Sequence, residues 1–436
     1  MDSAPDSTAL TATAPTASIG RLTLRLPPTF RALRHRNYRL YWCGQLISLI
    51  GTWMQNVAQP WLVYRLTGSP LALGMVSFSQ TIPILLFALP GGVIADRVNK
   101  HRLIITTQTI AMLLAFILAA LTWSGRVEVW HVALIAFCLG CSDSFDMPAR
   151  QVFVAETVGK EDLMNAIALN STMFNTARII GPAVAGVLVA TVGEAGAFTL
   201  NGISYLAVIG MLLAMRMPPR AQVMAQHGSM LSNLKEGLRY IRQDRKVLAL
   251  LSLVAVPAIF GMAYSTLMPV FAREVLGVDA SGQGLLLSAA AVGSLASALT
   301  LASLHNFKHK GLLVTGGSIV FAVALVMFSF SRSFAVSLLI LPFIGGAMLL
   351  QMSSIQTLLQ TTVPDALRGR VMSVYMIMFR GMQPFAGLVG GTLATVFTGL
   401  YGASNGAPFA VLLGATICLL FAAFVLWRAP FVRRLE

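Results

Sequence analysis

Charge is what this chain has least of. Asp, Glu, Lys and Arg together make up 11% of its 436 residues, against 56% hydrophobic residues. A soluble chain of this length needs far more polar side chains to cover its surface, so an ordinary soluble enzyme is excluded and a bilayer becomes the main solvent. Acidic residues are the scarcer sign, 16 against 31 Lys and Arg, for a net charge of +15. The basic residues lie in short clusters between apolar blocks, which excludes nucleic acid as the partner and fits loops held at a membrane surface. The only four cysteines, Cys43, Cys138, Cys141 and Cys418, fall inside apolar blocks, so no disulfide framework is expected. Cys138 and Cys141 have the spacing of a redox dithiol but no strand-to-helix context, and they read as small packing residues. Lys and Arg are missing from the first twenty residues, which excludes the basic start of a cleaved signal peptide and leaves a disordered tail rich in Ala, Thr and Ser. A glycine-lysine phosphate loop and a His/Cys/carboxylate cluster at metal spacing are also missing. An ATP-driven pump acting alone is thereby excluded, and neither a cofactor nor a metal is expected.

What is present is apolar length. Crossing ~30 Å of hydrocarbon takes ~20 apolar residues, and only helices or closed barrels satisfy the backbone in lipid. Long blocks without alternation choose helices, near residues 39–65, 71–94, 103–123, 130–149, 165–191, 197–215, 247–271, 283–304, 312–330, 334–362, 371–398 and 407–427. The expected fold is an all-α membrane protein of twelve transmembrane helices in two pseudo-symmetric six-helix bundles. Its parts are a disordered, basic segment 1–36, a first bundle 37–215, a linker 216–246, a second bundle 247–427 and a tail 428–436.

An even number of spans puts both termini on one side. That side then holds 25 Lys and Arg, the other only Arg65, Arg126, Arg273 and Arg332. The positive-inside rule makes the richer side cytoplasmic and the membrane the inner one. In the linker, Leu231, Leu234, Leu238 and Ile241 recur at helical spacing among Lys235, Arg239, Arg242 and Arg245. That pattern suits a helix lying on anionic lipid or a solvated linker helix. Two halves are also suggested by a repeat: Gln151 with Thr157-Val158 returns as Gln356 with Thr362-Val363, and the same shift of 205 takes Gly186 to Gly391.

The sharpest motif is the turn Gly92-Val-Ile-Ala-Asp96-Arg97-Val-Asn99-Lys100-His101-Arg102, between the second and third spans. It resembles the signature loop of the major facilitator superfamily, with Asn99 where that family usually has glycine. Asparagine tolerates the left-handed backbone a tight turn needs. The resemblance implies a gate made by Gly92, Asp96, Arg97, Lys100 and Arg102. The small residue permits close helix approach, while Asp96 pairs with arginine or faces the amino end of a neighbouring helix. The matching turn of the second half, His305 to Lys310, keeps its basic charge without the Asp-Arg pair, so such a gate is asymmetric; Arg368 and Arg370 offer a further contact.

A second resemblance is carried by Ser48 to Gln55, Trp61 to Tyr64, Leu66 to Pro70, Met147 to Gln151, Asn165-Ala166, Asn170-Ser171 and Arg178 to Pro182. Together these are similar to the branch of the superfamily that contains the enterobactin exporter and related efflux proteins. Gly181, Pro182 and Gly186 further resemble the helix-packing motif of the antiporter branches, although the earlier glycines of that motif are here replaced by residues such as Asn175 and Ala177.

Ionisable groups inside a span are costly, roughly 2.5 kcal/mol or more each. Asp143 and Asp146 share a helix face with Arg150, and they are candidates for proton coupling or cation binding. Arg178 and Arg380 are the basic residues deepest in spans, as counter-charges or ligands for an anionic substrate. In the first span Ser48, Thr52, Gln55 and Gln59 form a polar stripe, which in a membrane must meet protein or water. The family fold surrounds its central cavity with spans one, four, seven and ten, so the stripe, Asn56, Tyr264, Gln351 and Ser354 are candidate lining. Trp53 and Trp61 read as interfacial anchors and His131 as a boundary residue.

The expected function is secondary active transport, namely proton-driven export of a drug-like molecule or siderophore by alternating access, as a monomer in the lipid bilayer with protons and a small-molecule substrate as partners. An importer or lysophospholipid flippase of the same fold is the alternative. A membrane scaffold or intramembrane enzyme lacks a motif to support it.

Overall fold

The computed structural model describes residues 28–216, 230–303 and 309–435, without the side chains of 28–29, 88–97 and 230–234. The tail before Pro28 and the turn 304–308 lie outside this description.

A 3-10 turn, Pro28–Arg34, leads into α1 (Arg36–Thr67), followed by α2 (Pro70–Arg97), α3 (Lys100–Trp123) and α4 (Val129–Val158). Next comes α5 (Leu163–Leu213), whose 51 residues would reach roughly 77 Å if straight. No bilayer is that thick, and the chain breaks at Gly193, where φ is 74° and a side chain would be strained. Its two arms are the fifth and sixth spans. The linker helix α6 (Met230–Gln243) precedes α7 (Arg245–Val256), which opens the seventh span. That span continues through a π-helical turn Pro257–Gly261, the short α8 (Ala263–Thr266) and α9 (Met268–Val270), and a second π-helical turn Phe271–Val275. The rest are α10 (Ala280–Ser303), α11 (Lys310–Phe330), α12 (Phe334–Thr362), α13 (Asp365–Arg380), α14 (Gln383–Tyr401) and α15 (Ala403–Arg428).

Ten described helical segments are long and apolar enough to cross a membrane, with α13 and α14 counted as one. The folded α5 contributes two spans, and α1, whose hydropathy its polar stripe lowers, completes twelve. The helices are apolar almost all round. Leu134, Val187, Leu299, Phe330 and Leu339 are exposed on the outside of the bundles, as a lipid-facing surface requires.

Inside the first bundle α1 packs on α5, α2 on α4, and α3 on both α4 and α5. The two bundles meet along two seams of matching construction, α5 against α10 and α14 against α2. In one, a Cβ on Gly284 would lie 2.1 Å from the Pro182 carbonyl oxygen, and one on Gly186 would lie 2.6 Å from that of Ala280. In the other, a Cβ on Gly74 would lie 2.5 Å from the Gly387 oxygen, and one on Gly391 would lie 2.6 Å from that of Pro70. Both seams therefore rest on main-chain contact that only glycine permits. Both lie toward the end of the molecule opposite the termini.

At the terminal end residues 28–36, part of the segment 1–36 expected to be disordered, form a 3-10 turn and the start of α1. Asp162, 1% exposed, accepts Arg31 at 2.9 Å, Arg34 at 2.8 Å and His35 at 2.7 Å. Ala32 donates its backbone N–H to Asn165 Oδ1 at 2.8 Å, so the 3-10 turn is tied to the start of α5. The His35 hydrogen bond, helped by Arg34 and Arg31 against the effect of burial, holds the Asp162 carboxyl below its ordinary range. A lowered acid pKa stabilises the latch above the unfolded value of ~3.9 and loses that contribution as pH falls through the folded value. Trypsin cleavage at Arg31 and Arg34 should accordingly stay slow from neutral pH down to roughly pH 5 in the wild type, and be fast throughout in Asp162→Asn. Equal cleavage of the two proteins would refute the latch.

The linker helix lies against protein. Gly237 of α6 abuts the backbone of Arg370, Glu236 pairs with Arg370, and Ile241 is buried while Leu238 is exposed. At the other terminus, Leu435 accepts the backbone N–H of Gly311 at 3.0 Å and Val432 is fully buried against α11.

Candidate functional site

Two cavities occupy the middle of the molecule. The first, about 380 Å³, lies within the first bundle on the terminal side, between α1, α3, α4 and the two arms of α5. Its wall carries Tyr41, Gln45, Ser48, Thr52, Gln108 and Asp143 among others. The second, about 330 Å³, lies between the bundles beneath the seams, and Asn56, Gln59, Gln80, Arg178 and Tyr264 line it. Trp53 and Asn56 belong to both walls, so the cavities adjoin at one level of α1. Trp53 meets Phe174 edge to face, ring centres 6.0 Å apart, and this aromatic pair stands beside the junction. Each volume falls at the lower end of the range for small-molecule sites.

The two aspartates of α4 have different surroundings. Asp146 is 6% exposed, pairs with Arg150 one turn on, and accepts Thr107 Oγ1 at 2.6 Å. Arg150 also donates to Gln45 of α1. This network joins α1, α3 and α4, and a buried charge so paired is stable only while both partners remain. Asp143 points into the open first cavity and has no ion pair or hydrogen bond among the described residues. Its nearest charges are Asp146, Arg150 and Arg380.

The polar stripe of α1 divides by height. Ser48 donates to Gln108 at 3.4 Å and Thr52 lies 3.3 Å from the Tyr205 hydroxyl, both on the first cavity. Gln59 and Asn56 reach the second. Gln55 is not lining: it is buried, donates to Gln59 and accepts Asn201 at 2.6 Å, because that face of α1 packs on the second arm of α5. Gln351 and Ser354 also depart from the expectation. Both are buried in α12 outside the two cavities, and Gln351 donates to the Leu253 carbonyl at 2.8 Å, bracing α7. Arg380 lines neither cavity; it ends α13, where the eleventh span breaks, and donates to Met147 Sδ of the first bundle at 3.2 Å. Trp53 is a cavity wall and not an interfacial anchor, because its helix places it at mid-span. His131 has its boundary place, capping α4 by accepting the Glu128 N–H at 3.1 Å.

In the packing motif, Gly181 faces Trp53 within the first bundle, whereas Pro182 and Gly186 face α10 across the seam. Asn99 is not left-handed as expected. With φ −67° it caps α3 by accepting the Arg102 N–H at 3.1 Å, which explains why asparagine serves here. Arg102 is exposed, while the side chains of Asp96 and Arg97 and the surroundings of Gly92 lie outside this description. Tyr41, Gln45, Gln108, Asn170 and Tyr205 were not anticipated as lining. Gln45 continues the stripe one turn before Ser48, and Gln108 is a lone amide in an apolar helix; both signals were available in the sequence.

Residues 28–431 match the family of transmembrane secretion effectors. The chain belongs to that family. It is a major facilitator transporter of the siderophore and multidrug efflux branch. Among similar members, the staphyloferrin A transporter of Staphylococcus aureus is 25% identical over 82% of this chain and 90% of its own length. The multidrug efflux pump Tap of Mycolicibacterium fortuitum is 26% identical over 79% and 86%, and the enterobactin exporter EntS of Citrobacter koseri 23% over 91% and 94%. In fold, the family member resembles a bacterial homologue of the human lysosomal transporter Spinster, with a TM-score of 0.73 and 14% identity, covering 94% of this chain and 99% of the other.

Proposed function

We propose that this transporter exports a small organic compound, drug-like or siderophore-like, from the cytoplasm in exchange for protons. The observation that carries the reading is Asp143, an unpaired carboxylate on the wall of a cavity that adjoins a second cavity between the bundles. A carboxylate free of a fixed partner can take up and release a proton as the cavity is opened to one side or the other. Asp146, held by Arg150 and Thr107, is the less suited of the two.

The basic asymmetry assigns the terminal end to the cytoplasm and the seams to the outer face of the inner membrane. The arrangement is then sealed outside, with the first cavity on the cytoplasmic side. Alternating access requires the glycine seams to part while the terminal ends of the bundles close, and the Gly92 to Arg102 turn is our candidate for the contact that holds the closed inner face. The efflux direction is supported by the names of the relatives. The unit of function is a monomer and no cofactor takes part.

Everted membrane vesicles with an imposed pH gradient test this. A panel of drugs and siderophores should include a compound that accumulates in wild-type vesicles in a gradient-dependent manner. Asp143→Asn should fold normally and lose that accumulation together with its pH dependence. Unchanged accumulation and pH profile in Asp143→Asn would remove the coupling role, and gradient-driven loss of substrate from the vesicles would indicate an importer.

A further inference from the structure

The second cavity has a polarity of its own. Among the described residues Arg178 is the one charged residue of its wall, and no described carboxylate lines it. Half-buried in the first arm of α5, it has no ion pair or hydrogen bond among the described residues. A guanidinium in that setting is an unsatisfied five-donor fork, matched in shape to a carboxylate or similar oxyanion. Its neighbours reinforce the sign. The Tyr264 hydroxyl from the second bundle, 7% exposed, lines the same wall without a described partner. Gln59 accepts Gln55 at 3.3 Å with its amide oxygen, which leaves its NH₂ group to donate. Donors thus converge from α1, α5 and α8 on a space closed off by the seams. The negative side chains Asp143 and Asp146 are both in the other cavity. Between the two lies Trp53, an aromatic face with no charge, with Phe174 packed against it on the side of the first cavity.

Resting on the export reading, we infer that the transported solute is an aromatic or similarly flat molecule bearing an anionic group, which Arg178 holds in the cavity between the bundles with Tyr264 and Gln59. The flat body lies along Trp53, at the junction of the two cavities. A lipophilic cation is the wrong class for this wall, because approach to an unpaired arginine in a low-dielectric cavity is repulsive.

The test uses purified full-length protein and three probes of one shape: a naphthalene carrying a carboxylate, its primary amide, and its aminomethyl analogue. Quenching of tryptophan emission reads binding directly, without any need for flux. Wild type should bind the carboxylate about tenfold or more tightly than the amide, as expected for loss of a hydrogen bond between charged groups, and bind the amine most weakly. Arg178→Gln should bind carboxylate and amide alike, and Arg178→Lys should recover part of the preference with an unchanged melting temperature. Equal binding of the three probes by wild type, preference for the amine, a carboxylate preference that survives Arg178→Gln, or no binding of any probe would each overturn the inference. The export reading fails separately, on the vesicle assay, and an intact carboxylate preference without flux of any compound would sink that reading while leaving the anion site standing.

Discussion

Asp146→Asn is expected to destabilise the protein by about 3 kcal/mol or more, the usual cost of leaving one member of a buried ion pair without the other. Arg150 would then keep Gln45 and the Tyr41 hydroxyl but no carboxylate, while Thr107 would meet a weaker acceptor. The network links α1, α3 and α4, so its loss should loosen the first bundle as a unit. Thermal unfolding in detergent, followed by size-exclusion fluorescence, reads the effect. Asp143→Asn is the internal control, because Asp143 has no such partners. It should melt with the wild type while Asp146→Asn melts well below it. Coincident melting of all three proteins would show that the two aspartates are not differentiated as described.

The second large effect belongs to the seams. In Gly284→Ala the new methyl would lie 2.1 Å from the Pro182 carbonyl oxygen, a backbone atom that cannot rotate away. Overpacking of this kind costs about 1–3 kcal/mol. Most of that cost falls only on the arrangement in which α5 and α10 touch, so it shifts the balance between arrangements by roughly 5- to 150-fold. In a protein whose native cysteines have been replaced, a cysteine introduced at Thr266, on the wall of the second cavity, should react faster with an impermeant thiol reagent from the outer side when Gly284→Ala is also present. Transport should slow in parallel. An unaltered labelling rate with normal yield would mean that the seam yields locally and does not govern access.

Much of this architecture was legible in the chain because the bilayer imposes simple rules. Hydrophobic length gave the spans, and the distribution of Arg and Lys supplied a rationale for orientation. The repeat proved richer than its few identities suggested. The shift of 205 that relates Gly186 to Gly391 also relates Pro182 to Gly387, and all four sit in the seams against α10 and α2. What escaped was tertiary. Gln55, Gln351 and Ser354 have the polarity of cavity residues, but helix rotation buries all three in the interior, where Gln55 and Gln351 brace neighbouring helices, and one sequence cannot fix a rotation about the helix axis. Asp143 and Asp146, three residues apart, look equivalent until Arg150, Gln45 and Thr107 are placed around one of them. Trp53 was misread for the same reason: an indole at mid-span and one at an interface are told apart only by what faces them.

The glycine seams have a further thermodynamic consequence. Interlocked side chains lose rotamer freedom on packing, up to about 1.5–2 kcal/mol for the long ones, and regain it when they part. Contacts such as Gly284 on Pro182 and Gly74 on Gly387 are made by main chain that is already fixed inside helices, so separation releases little conformational disorder and reunion needs little search. The two faces are therefore the same shape apart as together. Opening and closing of the outer end should carry a small conformational entropy change, so that this term contributes little to how its free energy varies with temperature.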